Sequence, residues 1–289
     1  MAFFVSIDTF TFMSTTPSTG ELRTLPLGNT HSLYYPMYKG QHCSANKLVG
    51  FSRDLVTKEY KILRIFSAIC YDSLDFDECE IFNLSSDPSA SWKWIGLGPY
   101  KLAIWQRPVY VNGAIYLFTD ENYHESEVIA MFDLHNEKFK AIAHPKCCCL
   151  DPFKQRSRTD LVSLRGCVCV AEQTYDSQLN IWIMEEIYIS IDESTVIREK
   201  LYSINLFLME FGISNLFLLD FGMSLRFSIA EHKDGTVLLA CGWKDKLYLY
   251  DQKCQSFSSL TYGTGGLFMP TTFIESLVPL YGTRLPSFY

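Results

Sequence analysis

Pro108-Val-Tyr-Val-Asn-Gly-Ala-Ile-Tyr-Leu-Phe118, followed by Val128-Ile-Ala-Met-Phe-Asp-Leu-His-Asn-Glu-Lys-Phe139, is the stretch on which the fold turns. Three short apolar runs, Val109–Val111, Ala114–Phe118 and Val128–Phe132, are separated by Asn, Gly and Asp. Short runs with this punctuation read as strands of an all-β protein. Gly113 is a turn residue ahead of an inner strand, and the run that follows reads as its antiparallel neighbour. Asp133 can start a turn by bonding its side chain to nearby backbone N–H groups. Phe139 then begins the next strand and returns to the core.

The same grammar extends in both directions. Tyr250-Asp251-Gln-Lys-Cys-Gln-Ser-Phe257 repeats the Asp and the trailing aromatic at the same spacing. Gly166 and Gly235 precede apolar runs as Gly113 does. Similar strand-turn-strand logic appears in Gly50-Phe-Ser-Arg-Asp-Leu-Val-Thr-Lys-Glu-Tyr60 and, more loosely, in Thr16–Leu25. Further strand-like runs lie at Tyr60–Phe66, Val168–Ala171, Leu179–Met184, Thr236–Cys241 and Lys246–Tyr250. No segment has the period and caps of a long amphipathic helix. These features predict an all-β fold, a propeller-like arrangement of short antiparallel sheets, as one domain over residues 1–289. The spacing between turn glycines is uneven, so the number of blades stays open.

Composition agrees. Aromatic residues make up 15% of the 289 residues, with 21 Phe and 17 Tyr, which suits pleated surfaces. A formal charge of -7, with no long Lys/Arg run, argues against a nucleic-acid partner. The apolar stretch Leu206 to Phe221 is too short, and too interrupted by Glu210, Gly212, Asn215 and Asp220, for a membrane span. Ten cysteines in no disulfide-framework spacing, with Cys147, Cys148 and Cys149 adjacent, point to a reducing compartment, cytoplasm or nucleus. The N-terminus lacks a basic n-region and meets Asp8 early, unlike a signal peptide.

Taken in order, the segments resemble the F-box-associated domain of plant F-box proteins. Ser18-Thr-Gly-Glu-Leu-Arg-Thr-Leu-Pro26 is similar to that family's opening turn. Val49–Arg64, with Thr57-Lys-Glu-Tyr-Lys-Ile-Leu-Arg64, resembles its next strand pair, and Ser91-Trp-Lys-Trp-Ile95 a following step. Pro108–Tyr116 and Ile129–Phe139 are the most specific pieces, and Leu161–Gly166 with Leu179–Met184 and Phe273-Ile-Glu-Ser-Leu-Val278 complete the likeness. The resemblance runs from about residue 18 to 278. It implies a kelch-like, propeller-like module that captures target proteins for a Skp1–cullin-type ubiquitin ligase. In that family a helical F-box precedes this domain. Here Met1 stands close to the first strand signals, so Skp1 and cullin association is not expected of the chain.

Residue by residue, the expectation is a non-enzymatic binding module with no cofactor. A metal site would need Cys or His at ligand spacing. Cys147–Cys149 beside His144 is the one local cluster, and Pro145 and Pro152 make an inter-strand loop the better reading. Cys167 and Cys169 share one strand face and read as core. No Gly-x-Ser-x-Gly elbow, Walker A or Gly-x-Gly-x-x-Gly sequence occurs. An unknown target protein is expected to meet the long connections Tyr100 to Arg107, Asn122 to Glu127 and Lys146 to Arg158. Trp182, in Ile-Trp-Ile, is expected in the core, and Trp105, flanked by Gln106 and Arg107, is the candidate contact tryptophan. Two rivals stand beside this reading. An enzymatic or sugar-binding propeller needs a deep polar pocket, and a degenerate relative needs no partner at all.

Overall fold

The computed structural model describes residues 2–5, 12–16, 21–26, 44–69, 76–84, 90–99, 101–102, 108–119, 128–143, 158–174, 177–188, 194–208, 227–231, 235–241 and 246–261. The chain divides into two compact units, Met1–Ala141 with Phe273–Tyr289, and Ile142–Thr272. Among the described residues every regular element is a strand, except for a 3-10 turn at Leu206–Leu208. The all-β expectation therefore holds, and the sheets have the propeller-like form the sequence predicts.

The first unit opens with β1 (Ala2–Val5), β2 (Phe12–Thr16) and β3 (Glu21–Thr24), an antiparallel three-stranded sheet. The next sheet runs β4 (Ser44–Arg53), β5 (Tyr60–Ile69), β6 (Phe76–Leu84) and β7 (Lys93–Leu97) in sequence order. After it come β8 (Val109–Val111), β9 (Ala114–Phe118), β10 (Val128–Asp133) and β11 (Lys138–Ala143), again in order. The second unit repeats the pattern. Its first sheet is β12 (Arg158–Leu164), β13 (Cys167–Gln173), β14 (Gln178–Tyr188) and β15 (Ser194–Asn205). Its second is β16 (Phe227–Glu231), β17 (Val237–Cys241), β18 (Lys246–Asp251) and β19 (Ser256–Thr261). Four consecutive antiparallel strands are the unit of a propeller blade.

Burial explains why the strands read as apolar runs rather than as alternation. One face of the β4–β7 sheet presents Leu63, Ile65, Cys79 and Ile81 to Ile115, Leu117, Ala130 and Phe132 of the β8–β11 sheet. Its other face buries Ile62, Phe82 and Leu84 with Trp92 and Leu25. A sheet covered on both sides needs apolar residues at nearly every position. At Gly50 in β4 a Cβ would stand 2.9 Å from Ile115 Cδ1, so the two sheets approach at a residue with no side chain.

Two turn designs recur. Asn112 (φ 49°) with Gly113 (φ 79°), and Arg165 (φ 53°) with Gly166 (φ 72°), are the left-handed pairs of two-residue hairpins joining the first two strands of their sheets. The glycines are thus equivalent, and their uneven spacing comes from the connections between sheets. The Asp turn is the second design. Asp54 Oδ1 accepts the N–H groups of Val56 (2.8 Å) and Thr57 (3.2 Å). Asp133 Oδ1 accepts those of His135 (2.9 Å) and Asn136 (3.0 Å), and Asp251 Oδ1 that of Lys253 (2.8 Å). Four residues beyond each Asp stands a left-handed residue that is not glycine: Lys58 (φ 63°), Glu137 (φ 53°) and Gln255 (φ 50°). Two residues later the aromatic stacks back, Tyr60 on Phe51 at 5.2 Å, Phe139 on Phe132 at 4.8 Å and Phe257 on Tyr250 at 5.0 Å. The left-handed step was not legible, because its residue type carries no signal.

That step is strained for a side-chain-bearing residue, by about 1 kcal/mol. Gln255 is exposed. Gln255→Gly is therefore expected to stabilise the chain only slightly, by at most about 0.5 kcal/mol, once the added freedom of the unfolded chain is subtracted. A urea titration reads this as a higher midpoint, and a lower one would show that the turn bears no strain.

Candidate protein-contact surface

A four-strand meander has two unlike ends. The turns between strands one and two and between three and four lie at one end. The link between strands two and three lies at the other, together with the chain that enters and leaves the sheet. Among the described residues of the first unit the former end carries 54–59, 90–92, 112–113 and 134–137, and the latter carries 98–99, 101–102, 108 and 119. Among the described residues of the second unit 165–166, 235–236 and 252–255 lie at the former end of their sheets, and 174, 177 and 206–208 at the latter. The described strand ends Leu97, Ala143 and Asn205, at which the chain leaves a four-stranded sheet, therefore lie at this second end, the long-connection end, each of its own sheet.

The short-turn end is a clamp. In the first unit the Lys61 ammonium donates to Leu134 O (2.6 Å) and meets Asp54 Oδ2 (3.2 Å) and Glu137 Oε1 (3.1 Å), tying the turn of one sheet to that of the next. Lys93 donates to the other Glu137 oxygen at 2.6 Å, and His135 Nδ1 lies 3.4 Å from Asp54 Oδ2. Burial alone would raise the Asp54 carboxyl. The Val56 and Thr57 N–H groups and Lys61 outweigh it and hold Asp54 well below the usual carboxylate range. Burial likewise opposes ionisation of Glu137, and Lys93 and Lys61 overcome that opposition and lower its pKa. In the second unit Arg165 makes a forked pair with Glu231, Nε to Oε2 at 2.9 Å and Nη2 to Oε1 at 2.8 Å. The Tyr202 hydroxyl donates to the same Glu231 at 2.8 Å. These groups satisfy one another and are spent on holding sheets together.

The long-connection end is built to launch chain. Asp77, 2% exposed at the start of β6, accepts the Gly98 N–H at its carbonyl (2.6 Å) and the Leu102 N–H at Oδ2 (2.8 Å). The Lys101 ammonium stands 3.5 Å from its other oxygen. Leu102 in turn bridges to Thr119, whose hydroxyl donates to Val128 O at 2.8 Å. One carboxylate thus pins the root of the 98–108 link. In the second unit the Leu206 N–H donates to Ser177 O (2.8 Å) and the Phe207 N–H to Asn205 Oδ1 (3.0 Å). Leu206 is buried, while Phe207 and Leu208 are 56% and 54% exposed. This supplies a role for the start of the apolar stretch at 206: it is the exit from a sheet. Its remainder, 209–221, lies outside the described residues.

Trp105 also lies outside the described residues, as do His144, Cys147–Cys149 and most of the three connections expected to contact a partner. The described strand ends that bracket those connections all belong to the long-connection end of their sheets. The other tryptophans divide. Trp92 is buried, its Nε1–H donating to Pro26 O at 2.7 Å, while Trp94 is 56% exposed. Trp182 corrects the core expectation. Ile181 and Ile183 of β14 pack on the core face, so strand alternation turns Trp182 to the opposite face, half-buried, with the Lys200 ammonium 4.7 Å from its ring centre. Cys169 is in the core, with Cys167 half-buried on the same face. The anchoring role of Asp77 and the exposure of Trp94, Phe207 and Leu208 were not legible in the sequence, since exposure and loop anchoring have no local signature.

Repeated four-strand antiparallel meanders define the chain as a β-propeller-class protein. The model of the family described as "F-box associated beta propeller domain" matches residues 17–280. The chain belongs to that family, in which F-box-associated domains are not a known class of enzymes. Among proteins similar to it, F-box protein At3g07870 of Arabidopsis thaliana is 29% identical over 173 residues, covering 54% of this chain and 40% of that protein. Putative F-box protein At1g12855 of the same plant is 24% identical over 254 residues, covering 84% and 52%. F-box/LRR-repeat/kelch-repeat protein At1g09650, also of Arabidopsis thaliana, is 27% identical over 195 residues, covering 66% and 46%. The chain thus spans about half the length of the curated relatives it matches.

Proposed function

We propose that the chain is a protein-recognition module that holds a target protein at the long-connection ends of its sheets. The observation that carries this is that, within each unit, the short turns are tied together by ion pairs while the described strand ends from which the chain leaves a sheet lie at that sheet's other end. Long connections on a rigid scaffold can vary in sequence without disturbing the core, which is how binding surfaces diversify. The anchoring of the roots by Asp77 and Ser177 lowers the ordering cost of contact. Family membership supports the same reading, and the match across both compact units supports a single module. Residence in cytoplasm or nucleus is part of this proposal. Free Cys79, Cys167, Cys169 and Cys254 fit a reducing compartment.

Affinity purification from plant cells tests it. Charge placed at the exposed tip, as Phe207→Asp with Leu208→Asp, is expected to reduce recovery of the bound target about tenfold, with the thermal transition unchanged. An unchanged set of co-purifying proteins would remove the long-connection end from consideration.

A further inference from the structure

Anchoring a backbone N–H does not require a charge. In the second unit the chain that leaves β15 is held by neutral groups, with the Leu206 N–H on Ser177 O and the Phe207 N–H on Asn205 Oδ1. The first unit uses a carboxylate for the corresponding task. Asp77 is buried at the start of β6, where a carboxylate loses the hydration it has in water. Its Oδ2 accepts the Leu102 N–H at 2.8 Å, and the Lys101 ammonium lies 3.5 Å from Oδ1. A hydrogen bond to an ionised acceptor is roughly twice as strong as one between neutral groups. Leu102 is thus held harder than the exit of a chain demands.

Leu102 also joins the two four-stranded sheets of the first unit, which are otherwise separate ladders. Its side chain is buried in the core that Leu63 and Ile65 of one sheet share with Ile115 and Leu117 of the other. Its backbone pairs with Thr119, just past β9, as an isolated antiparallel bridge. The Thr119 hydroxyl donates to Val128 O at 2.8 Å and accepts the Val128 N–H at 3.3 Å. It thereby holds the end of β9 to the start of β10. A continuous line of bonds runs from Asp77 through Leu102 and Thr119 to Val128. It connects the place where the chain leaves one sheet with the place where it loops out of the next.

We infer that Asp77 is a positioning residue that couples two chain exits of the first unit, at Leu102 and at Thr119 with Val128, so that ordering either one orders the other. Its use in recognition rests on the proposed reading of the long-connection ends as the target surface. A target held at one exit then meets the second already ordered, and the two contacts reinforce each other without touching. The coupling itself is a property of the free chain. Contiguous bonds are a route for it, and a double-variant cycle measures it.

Amide hydrogen exchange on the intact chain tests it, through the remote amide in each variant. Asp77→Ala removes the acceptor of the Leu102 N–H directly, so Val128 is the informative position. Thr119→Val removes the acceptor of the Val128 N–H directly, so Leu102 is. Each substitution is expected to speed exchange at its remote amide about tenfold, while Ile115 and Ala130 in the same core keep the parent rate. In the double variant the acceleration should fall short of the product of the two singles. Asp77→Asn keeps an oxygen for Leu102 and is expected to restore protection at both positions. A remote amide that exchanges at the parent rate in either single variant would overturn the inference. So would equal acceleration at Ile115 and Ala130, which marks ordinary destabilisation. The target surface fails separately: unchanged recovery of co-purifying proteins with Phe207→Asp and Leu208→Asp removes that surface and leaves the coupling standing.

Discussion

Replacing Glu80 with leucine while leaving Arg64 in place is expected to lower stability by about 3–5 kcal/mol. Glu80 is fully buried, Arg64 is 2% exposed, and their side chains form an ion pair within the β4–β7 sheet. The guanidinium lies 4.1 Å from the ring centre of Trp92. Burial lowers the Arg64 pKa from its ordinary value, and Glu80 works against that drop. Without the carboxylate, a guanidinium is left in a site that water does not reach. Breaking a buried pair costs more than the pair itself contributes, because desolvation of the survivor is no longer offset. The double replacement Arg64→Met with Glu80→Leu should therefore recover most of the loss. Urea midpoints of the parent, Glu80→Leu and the double variant decide the matter. A single variant within about 1 kcal/mol of the parent would mean the pair is hydrated and weak.

Lys61→Met is the second large effect, again about 3–5 kcal/mol. Methionine keeps most of the volume of the lysine stem. It removes the donor to Leu134 O and the cation shared by Asp54 and Glu137. Glu137 keeps Lys93, but Asp54, 0% exposed, keeps no lysine. The pH dependence gives this loss a signature. Both carboxyls have lowered pKa values in the folded chain. Their contribution is therefore present above the ordinary carboxylate range, near pH 4, and is lost as pH falls through the folded-state values. Lys61→Met weakens the lowering, so the gap between parent and variant should be wide at pH 7 and narrow only at a pH well under 4, where the folded-state carboxyls take up their protons. Denaturation at both pH values measures it, and a gap independent of pH would show that Lys61 acts through packing alone.

Much of the scaffold was legible. The Asp turns, the turn glycines and the strands around them rest on interactions within a few residues, so a local pattern carries them. Asp133 and Phe139 were readable as turn and strand start because the Asp bonds the next N–H groups and alternation returns the ring to the core. Even the placement of Trp182 was implicit in Ile-Trp-Ile: two isoleucines on the core face leave the residue between them on the other. The contact site was less legible. Sequence could name the connections around Trp105 as long, but not that they leave from one end while the short turns are clamped at the other.

The sequence by itself determined that this chain forms short antiparallel strands, where they reverse, and to which family they belong. These properties follow from backbone dihedral preferences and from side-chain alternation, which act between neighbours. Only the tertiary structure decided that Lys61 would meet Leu134, and that Trp92 would be buried while Trp94 stayed in water. Each depends on strand register and on which sheet packs against which. Those are fixed by the collective burial of residues far apart in the chain, where no local pattern reaches.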